Sequence, residues 1–280
     1  HGEDVKELYY YLDATPTHSY LKMLYKYPQR AFPYAQLVEE NTRRKGDPHQ
    51  PEFELLDTGI FDDDRYWDVF VEYAKAGAED ILMRVTVHNR GPAAATIHLL
   101  PQLWFRNTWP WKPNSARPEL SLSNRGAISA KHADLGEYSL HLEGSTEVLF
   151  CDNETNARRL FGLTDAKGFF KDAFDEYLVH GNQAAVNPDQ TGTKAGVLHK
   201  LTVPAGGSKQ IRLRLAKKLT GKPFATFDAI FLQRIEEADA FYANLQRGLD
   251  DADARSVQRQ AFAGMIWSKQ YFHYDVSEWI

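Results

Sequence analysis

The sequence has little that points to disulfide bonds, membrane insertion or nucleic acid. Cys151 is its one cysteine, so no intrachain disulfide can form and a reducing, cytoplasmic location is expected. No apolar run reaches the length of about 18 residues that a membrane-spanning helix needs, and no secretory signal sequence is visible. A net charge of −5 gives no electrostatic reason to bind nucleic acid or an anionic membrane surface.

Motifs for several kinds of chemistry are also missing from the sequence. The nucleophile elbow, the P-loop and the dinucleotide-binding glycine pattern do not occur, which disfavours serine-nucleophile and nucleotide chemistry. The ten histidines lack metal-ligand spacing, and Asp62–Asp64 stands outside any EF-hand pattern, so we expect no metal and no cofactor. The three aspartates predict a solvated turn, and Cys151 predicts a small buried side chain rather than a reactive thiol.

Alternating apolar and polar residues fill much of the chain. The clearest run places Trp67, Val69, Val71 and Tyr73 on one side of a strand, and alternation of this kind is typical of half-buried antiparallel strands. Strands are predicted over residues 5–14, 66–73, 81–88, 94–107, 138–144, 147–152, 175–181, 196–205 and 208–218. Helices are predicted over residues 18–27 (capped by Thr17), 33–44, 154–161, 227–247 and 251–274. So many short strands predict a mainly β fold built as a large antiparallel sandwich.

The last third of the chain changes to helical periodicity. The apolar residues of the final helix cover most of its circumference, which is typical of a helix inside a helical assembly. We therefore expect a β domain at 1–222, a linker helix at 223–250 and the start of a further domain at 251–280. The lack of an initiator methionine and the apolar last helix suggest a piece of a longer polypeptide. The apolar face of this last helix is expected to be uncovered in the isolated chain. It should then favour self-association through Phe262, Ile266, Trp267 and Tyr271.

Long phrases of the sequence resemble a known family. They are "HGEDVKELYYYLDATPTHSYLKMLYKYPQ", "LLDTGIFDDDRYWDVFVEYAKA", "LLPQLWFRNTWPW", "RLFG…GFFKDAFDEYLVHG", "NPDQTGTKAG" and "VQRQAFAGMIWSKQYFHYDVSEW". These phrases resemble bacterial proteins of the glycoside hydrolase family 63 type, relatives of the processing α-glucosidase that trims oligosaccharides. The resemblance implies an N-terminal β-supersandwich of the galactose mutarotase-like type, a helical linker and an (α/α)6 barrel.

The resemblance also implies an activity that this chain would not perform alone. Family members hydrolyse α-glucosidic bonds with inversion, and their paired acid and base carboxylates lie in the barrel. No catalytic residue can therefore be assigned to this chain, whose partners would be an α-gluco-oligosaccharide and its own C-terminal barrel. Two other functions stay open from the residues: a free-standing carbohydrate-binding module, and a mutarotase-like sugar epimerase that uses histidine and glutamate as acid and base.

The segment Leu103–Trp111, "LWFRNTWPW", is the candidate binding site, and we call it the aromatic segment. Its candidate sugar-binding residues are Trp104, Arg106, Asn107, Trp109 and Trp111. Pro110 prevents continued strand pairing, which places the last two tryptophans in a loop. Three interpretations stay open for this loop: packing within the sandwich, packing against a barrel, or stacking on sugar rings beside hydrogen-bonding side chains.

Overall fold

The structure is a computed structural model that describes residues 7–111, 115–123, 126–144, 146–268 and 276–279. The chain divides into two compact units. The first comprises His1–Lys75, Arg84–Pro92 and Asp228–Ile280. The second comprises Ala76–Met83 and Ala93–Phe227.

Strands dominate the described residues, as the alternating pattern predicts. In chain order they are β1 (Leu8–Ala14), β2 (Tyr20–Pro28), β3 (Tyr66–Gly77), β4 (Asp80–Asn89), β5 (Ala95–Leu99), β6 (Gln102–Trp104), β7 (Glu119–Leu122), β8 (Ile128–His132), β9 (Gly136–Leu142), β10 (Glu147–Cys151), β11 (Thr191–Gly192), β12 (Lys194–Val203) and β13 (Ser208–Ala216). Nine strands form a sheet in the order β1-β2-β3-β4-β13-β9-β8-β7-β11, and β10-β12-β5 form a second sheet in which β6 also pairs with β12. The mainly β, antiparallel fold class is confirmed.

The helix predicted over residues 18–27 is wrong, because this stretch is strand β2. Its backbone pairs with β1 on one side and β3 on the other. Thr17 lies in the β1–β2 turn, where the neighbouring His18 has a φ of 53°. The hydroxyl of Thr15 accepts the backbone N–H of Ser19 at 3.0 Å and so stabilises that turn. Three tyrosines in nine residues favour a strand, and pairing on both edges outweighs the local capping signal.

Helices occupy short connections and the C-terminal part of the chain. They are α1 (Tyr34–Arg44), α2 (Ala157–Phe161), α3 (Ala173–Leu178), α4 (Phe227–Leu245), α5 (Ala252–Trp267) and α6 (Val276–Trp279). The strand predicted over 175–181 is wrong, because α3 covers most of it. Ala173 and Phe174 bury against Leu149 and Cys151, a packing that a strand would not provide. In the described residues, no helix combines the length and apolar character that crossing a membrane requires.

The two long helices begin and pack largely as their sequences predict. Four apolar residues of α4 are buried (Phe227, Phe231, Ala238 and Tyr242), while Phe241 and Leu245 are exposed. Asp251 caps α5, and its carboxylate accepts the N–H of Asp253 at 2.9 Å. The hydroxyl of Tyr242 donates to the carbonyl of Ala14 at 2.6 Å. These contacts fasten α4 to the end of β1 within the first unit.

The apolar patch predicted on the last helix differs from the one in the structure. Phe262 is 37% exposed, as predicted. Ile266 and Trp267 are half-buried, and the Trp267 ring stacks on Tyr11 with 5.2 Å between ring centroids, so both are less exposed than predicted. Tyr271 lies outside the described residues. The clearly exposed apolar side chains of α5 are Val257, Phe262 and Met265.

Charged side chains lie inside the first unit where alternation alone predicts a solvated strand face. Glu72 of β3 is only 6% exposed, and it accepts hydrogen bonds from Arg84 of β4 at 2.9 Å and from the Tyr20 hydroxyl at 2.7 Å. Burial alone would raise the pKa of Glu72. The hydrogen bonds from Arg84 and Tyr20, with the charges of Arg84 and Lys22, outweigh burial and hold that pKa below its ordinary value.

Candidate functional site

The aromatic segment leaves strand β6 with its alternation intact. Leu103, Phe105, Asn107 and Trp109 are half-buried, while the residues that alternate with them are exposed. Trp104 is 53% exposed and Trp111 is 67% exposed. Two of the three tryptophans in the aromatic segment are therefore largely exposed to solvent.

Backbone hydrogen bonds fix the start of the aromatic segment within the second unit. The N–H of Phe105 donates to the carbonyl of Thr193 at 3.1 Å. The Asn153 amide donates to the carbonyl of Phe105 at 2.9 Å, and the Asn153 backbone N–H donates to the Thr193 hydroxyl at 2.8 Å. Thr193 is 1% exposed. We call Phe105, Asn153 and Thr193 the junction, because they join β6, the end of β10 and the start of β12.

The junction depends on a close backbone approach next to Thr193. A Cβ atom at Gly192 would lie 2.2 Å from the carbonyl oxygen of Cys151. That same oxygen accepts the N–H of Thr193 at 3.1 Å. The chain can therefore pass this point only with glycine, which allows backbone segments to approach more closely than any other residue. Cys151 itself is fully buried, as predicted, and burial raises the pKa of its thiol to about 12.

A charged cluster lies directly beside the aromatic segment. Arg117 Nη2 lies 2.6 Å from Asp152 Oδ1 and 3.3 Å from Glu154 Oε1. The indole Nε1 of Trp109 donates to the same Glu154 oxygen at 3.3 Å. The Arg117 guanidinium carbon lies 5.8 Å from the Trp109 ring centroid, within the range of a cation–π contact. Trp109 is therefore held in place by a cation and a carboxylate, and neither contact was predicted from the sequence.

The other predicted binding residues have different surroundings. Arg106 is exposed, and its guanidinium carbon lies 5.5 Å from the Trp111 ring centroid. Trp104 lies on β6, opposite Lys194 of β12. The Asn107 side-chain oxygen is shielded from solvent and has no hydrogen-bond partner in the described part of the chain. Arg106 and Trp111 therefore contact each other at the surface, while the side-chain oxygen of Asn107 is turned away from the surface.

A pocket of about 380 Å³ opens beside the charged cluster. Its lining residues come from three segments of the second unit: Arg117, Pro118, Glu119, Asp152, Asn187, Thr191, Gly192 and Thr193. The Asn187 amide donates to the carbonyl of Thr191 at 2.8 Å and so shapes the loop that forms one wall. The junction therefore positions the aromatic segment and contributes Thr193 to the pocket.

Comparisons with known proteins give one strong sequence similarity. No protein-family model matches the chain. It is 36% identical to Uncharacterized protein YMR196W of Saccharomyces cerevisiae, in an alignment that covers 100% of this chain and 30% of the yeast protein. A solved structure described as "Putative kojibiose phosphorylase from human microbiome" matches 71% of this chain and 21% of its own, at 10% identity and a TM-score of 0.31. The chain spans less than a third of either protein.

Asp152 and Glu154 do not have the arrangement that inverting hydrolysis requires. That reaction needs an acid and a base about 6.5–9.5 Å apart, with room between them for water and the scissile bond. A single nitrogen of Arg117 contacts both Asp152 and Glu154. The guanidinium therefore occupies the space that the reacting groups would require.

A second group of titratable side chains surrounds helix α3. Asp175, Glu176 and His180 bring their ligand atoms within 4.8 Å of one another. Glu176 already pairs with Arg159 at 3.2 Å, and His180 lies 3.5 Å from Asp175. Two of the three residues are exposed. This cluster is explained by ordinary surface ion pairing.

The histidines predicted on strands are mostly found there. His88, His98, His141 and His199 lie on β4, β5, β9 and β12, while His180 follows α3 and is therefore misplaced by the prediction. Burial lowers the pKa of His199, which favours its neutral form. The four histidines on strands are therefore interpreted as strand-face side chains.

Proposed function

We propose that the chain is the non-catalytic sandwich part of an α-glucosidase-type glycoside hydrolase, and that its aromatic segment borders the oligosaccharide pocket of that enzyme. In this proposal the acid and base carboxylates lie outside these 280 residues. The aromatic segment and the pocket both lie in the second unit. The function of the chain is to brace the barrel and to border its substrate pocket.

The arrangement of Trp109 carries the proposal. A sugar ring offers an apolar face of C–H groups and an edge of hydroxyls, so it needs an aromatic platform next to charged hydrogen-bonding groups. Trp109 is such a platform, fixed by Glu154 and Arg117. Trp111 and Arg106 provide a second aromatic surface with a donor beside it. The resemblance of the "LLPQLWFRNTWPW" phrase to family 63 proteins gives independent support from sequence.

Removing both indole rings should weaken substrate binding in the full-length protein. We expect Trp109→Ala with Trp111→Ala to raise KM for α-gluco-oligosaccharides about tenfold, a loss of about 1.4 kcal/mol. The turnover number should change less, because the rings hold the substrate and do not act on the scissile bond. Initial-rate kinetics with a series of oligosaccharide lengths measures both quantities.

The control for this experiment is Phe161→Ala, since Phe161 of α2 is 70% exposed but lies outside the aromatic segment. It should leave KM unchanged. Thermal unfolding of each variant must confirm that the fold is retained. An unchanged KM in a folded double variant contradicts a substrate-facing aromatic segment. Tight oligosaccharide binding without hydrolysis by the full-length protein would instead favour the alternative function, a carbohydrate-binding module.

A further inference from the structure

Acidic side chains outnumber basic ones in the described lining of the pocket beside Trp109. Among these described residues Arg117 is the one basic side chain, and Glu119 and Asp152 are acidic. Arg117 is also paired with Glu154, so two carboxylates already neutralise its charge. Glu119 adds a further carboxylate at the pocket wall. A ligand that carries its own negative charge would meet repulsion from these carboxylates, and the described lining residues hold no uncommitted cation to offset it.

The same residues leave hydrogen-bond acceptors available. Asp152 uses its Oδ1 atom to accept from Arg117 and from the N–H of Thr193, while its Oδ2 atom accepts no bond from a described residue. Glu119 has no hydrogen bond or ion pair among the described side chains, and it is exposed at the start of β7. Ionised carboxylates only accept hydrogen bonds, so they match hydroxyl groups, which donate. Phosphate and carboxylate groups lack the protons to donate.

We infer that this pocket holds one uncharged glucosyl unit of the substrate and discriminates against sugars that carry phosphate or carboxylate. The inference rests on the proposed function. It adds the place where a glucosyl unit binds and a charge rule, namely that neutral sugars bind better than acidic ones. A volume of about 380 Å³ is suited to a small ligand of one or two rings. Trp109 is linked to the pocket through Arg117, which lines the pocket and lies 5.8 Å from the Trp109 ring centroid.

Binding of three single-ring sugars to the full-length protein tests the inference. The probes are methyl α-glucoside, glucose 6-phosphate and methyl α-glucuronide, each titrated by calorimetry at fixed ionic strength. The two acidic sugars are expected to bind at least about tenfold more weakly than methyl α-glucoside, because like charges in a partly enclosed site repel. The preference should shrink as salt is added, since screening weakens repulsion between exposed charges.

A variant that removes one carboxylate tests whether the preference for neutral over acidic sugars arises in this pocket. Glu119→Gln removes one lining carboxylate without touching the Arg117 pairs, and it should reduce the preference about threefold or more. The matched control is Glu79→Gln, because the Glu79 carboxylate is exposed and pairs with Lys217 away from the pocket lining. Both variants change the net charge equally. Only Glu119→Gln should change the preference.

The outcomes separate this inference from the proposed function. If methyl α-glucoside binds and the tryptophan variant weakens oligosaccharide binding, yet the acidic sugars bind equally well, the charge rule is overturned and the proposed function stands. Equal effects of Glu119→Gln and Glu79→Gln would overturn the assignment to this pocket. If the full-length protein neither binds nor cleaves any glucoside, the proposed function fails and this inference fails with it.

Discussion

Replacing Arg84 with methionine should lower the free energy of unfolding by about 3–5 kcal/mol, because it leaves a buried carboxylate without its cation. Glu72 accepts two hydrogen bonds from Arg84, both at 2.9 Å. Methionine fills much of the space of the arginine stem but cannot donate. The Tyr20 hydroxyl is then the remaining side-chain donor to Glu72 among the described residues. Urea unfolding followed by circular dichroism measures the difference.

The surface pair Lys217–Glu79 is the control for this loss. Its atoms are 2.8 Å apart, but the Glu79 side chain is 56% exposed. Lys217→Met should therefore cost less than about 1 kcal/mol, as exposed ion pairs usually do. In the double variant Arg84→Met with Glu72→Gln, a neutral amide replaces the stranded charge, so part of the lost stability should return. If Arg84→Met costs no more than Lys217→Met, the buried pair contributes nothing beyond a surface pair.

The same carboxylate makes stability depend on pH. The folded pKa of Glu72 is lower than its ordinary value of 4.5, so the folded state favours the ionised form. The stability this group contributes is fully present above pH 4.5 and is lost as pH falls through the lower folded pKa. Glu72→Gln should flatten the unfolding free energy between pH 5 and pH 3. A wild-type slope in that variant would show that other carboxylates cause the acid sensitivity.

Much of the fold follows from local pattern, and the exceptions have physical causes. Alternation located β3, β4, β12 and β13, because one apolar face per strand is a local property. The alternating pattern wrongly predicts an exposed side chain at Glu72, because a charged residue can be buried when it is paired with an opposite charge. It also failed for β2, where the helix signal from Thr17 is worth about 1 kcal/mol and pairing with two neighbouring strands contributes more.

The candidate site was predictable only where its residues are close in sequence. The tryptophans of the aromatic segment stand out because three of them fall within nine residues. Arg117, Glu154 and Thr193 carry no local signal, since the ends of different strands bring them together. The nearest hint was the phrase "NPDQTGTKAG", which contains Gly192 and Thr193. It contributed to the family resemblance without revealing that these residues line a pocket beside Trp109.

Replacing Gly192 with alanine is expected to lower the free energy of unfolding by about 3 kcal/mol or more, the upper range for forced overpacking. The new Cβ would approach the Cys151 carbonyl oxygen to 2.2 Å, and this neighbour is backbone rather than a movable side-chain end. Relief requires β11 to move away from β10. That movement would stretch the bond from the Thr193 N–H to Cys151 and disturb the junction. Thermal unfolding measures the loss of stability.

Gly46→Ala is the matched control, because no atom lies within 4 Å of a Cβ built there and its φ is not in the left-handed region. That change should alter stability by less than about 1 kcal/mol, in the favourable direction, because alanine restricts the unfolded chain. The fluorescence of the tryptophans adds a second readout, since a disturbed junction releases the start of the aromatic segment and alters the surroundings of Trp109. If Gly192→Ala matches Gly46→Ala in stability and leaves the fluorescence unchanged, the backbone approach that builds the junction is not the one described, and the pocket loses the wall on which its binding role depends.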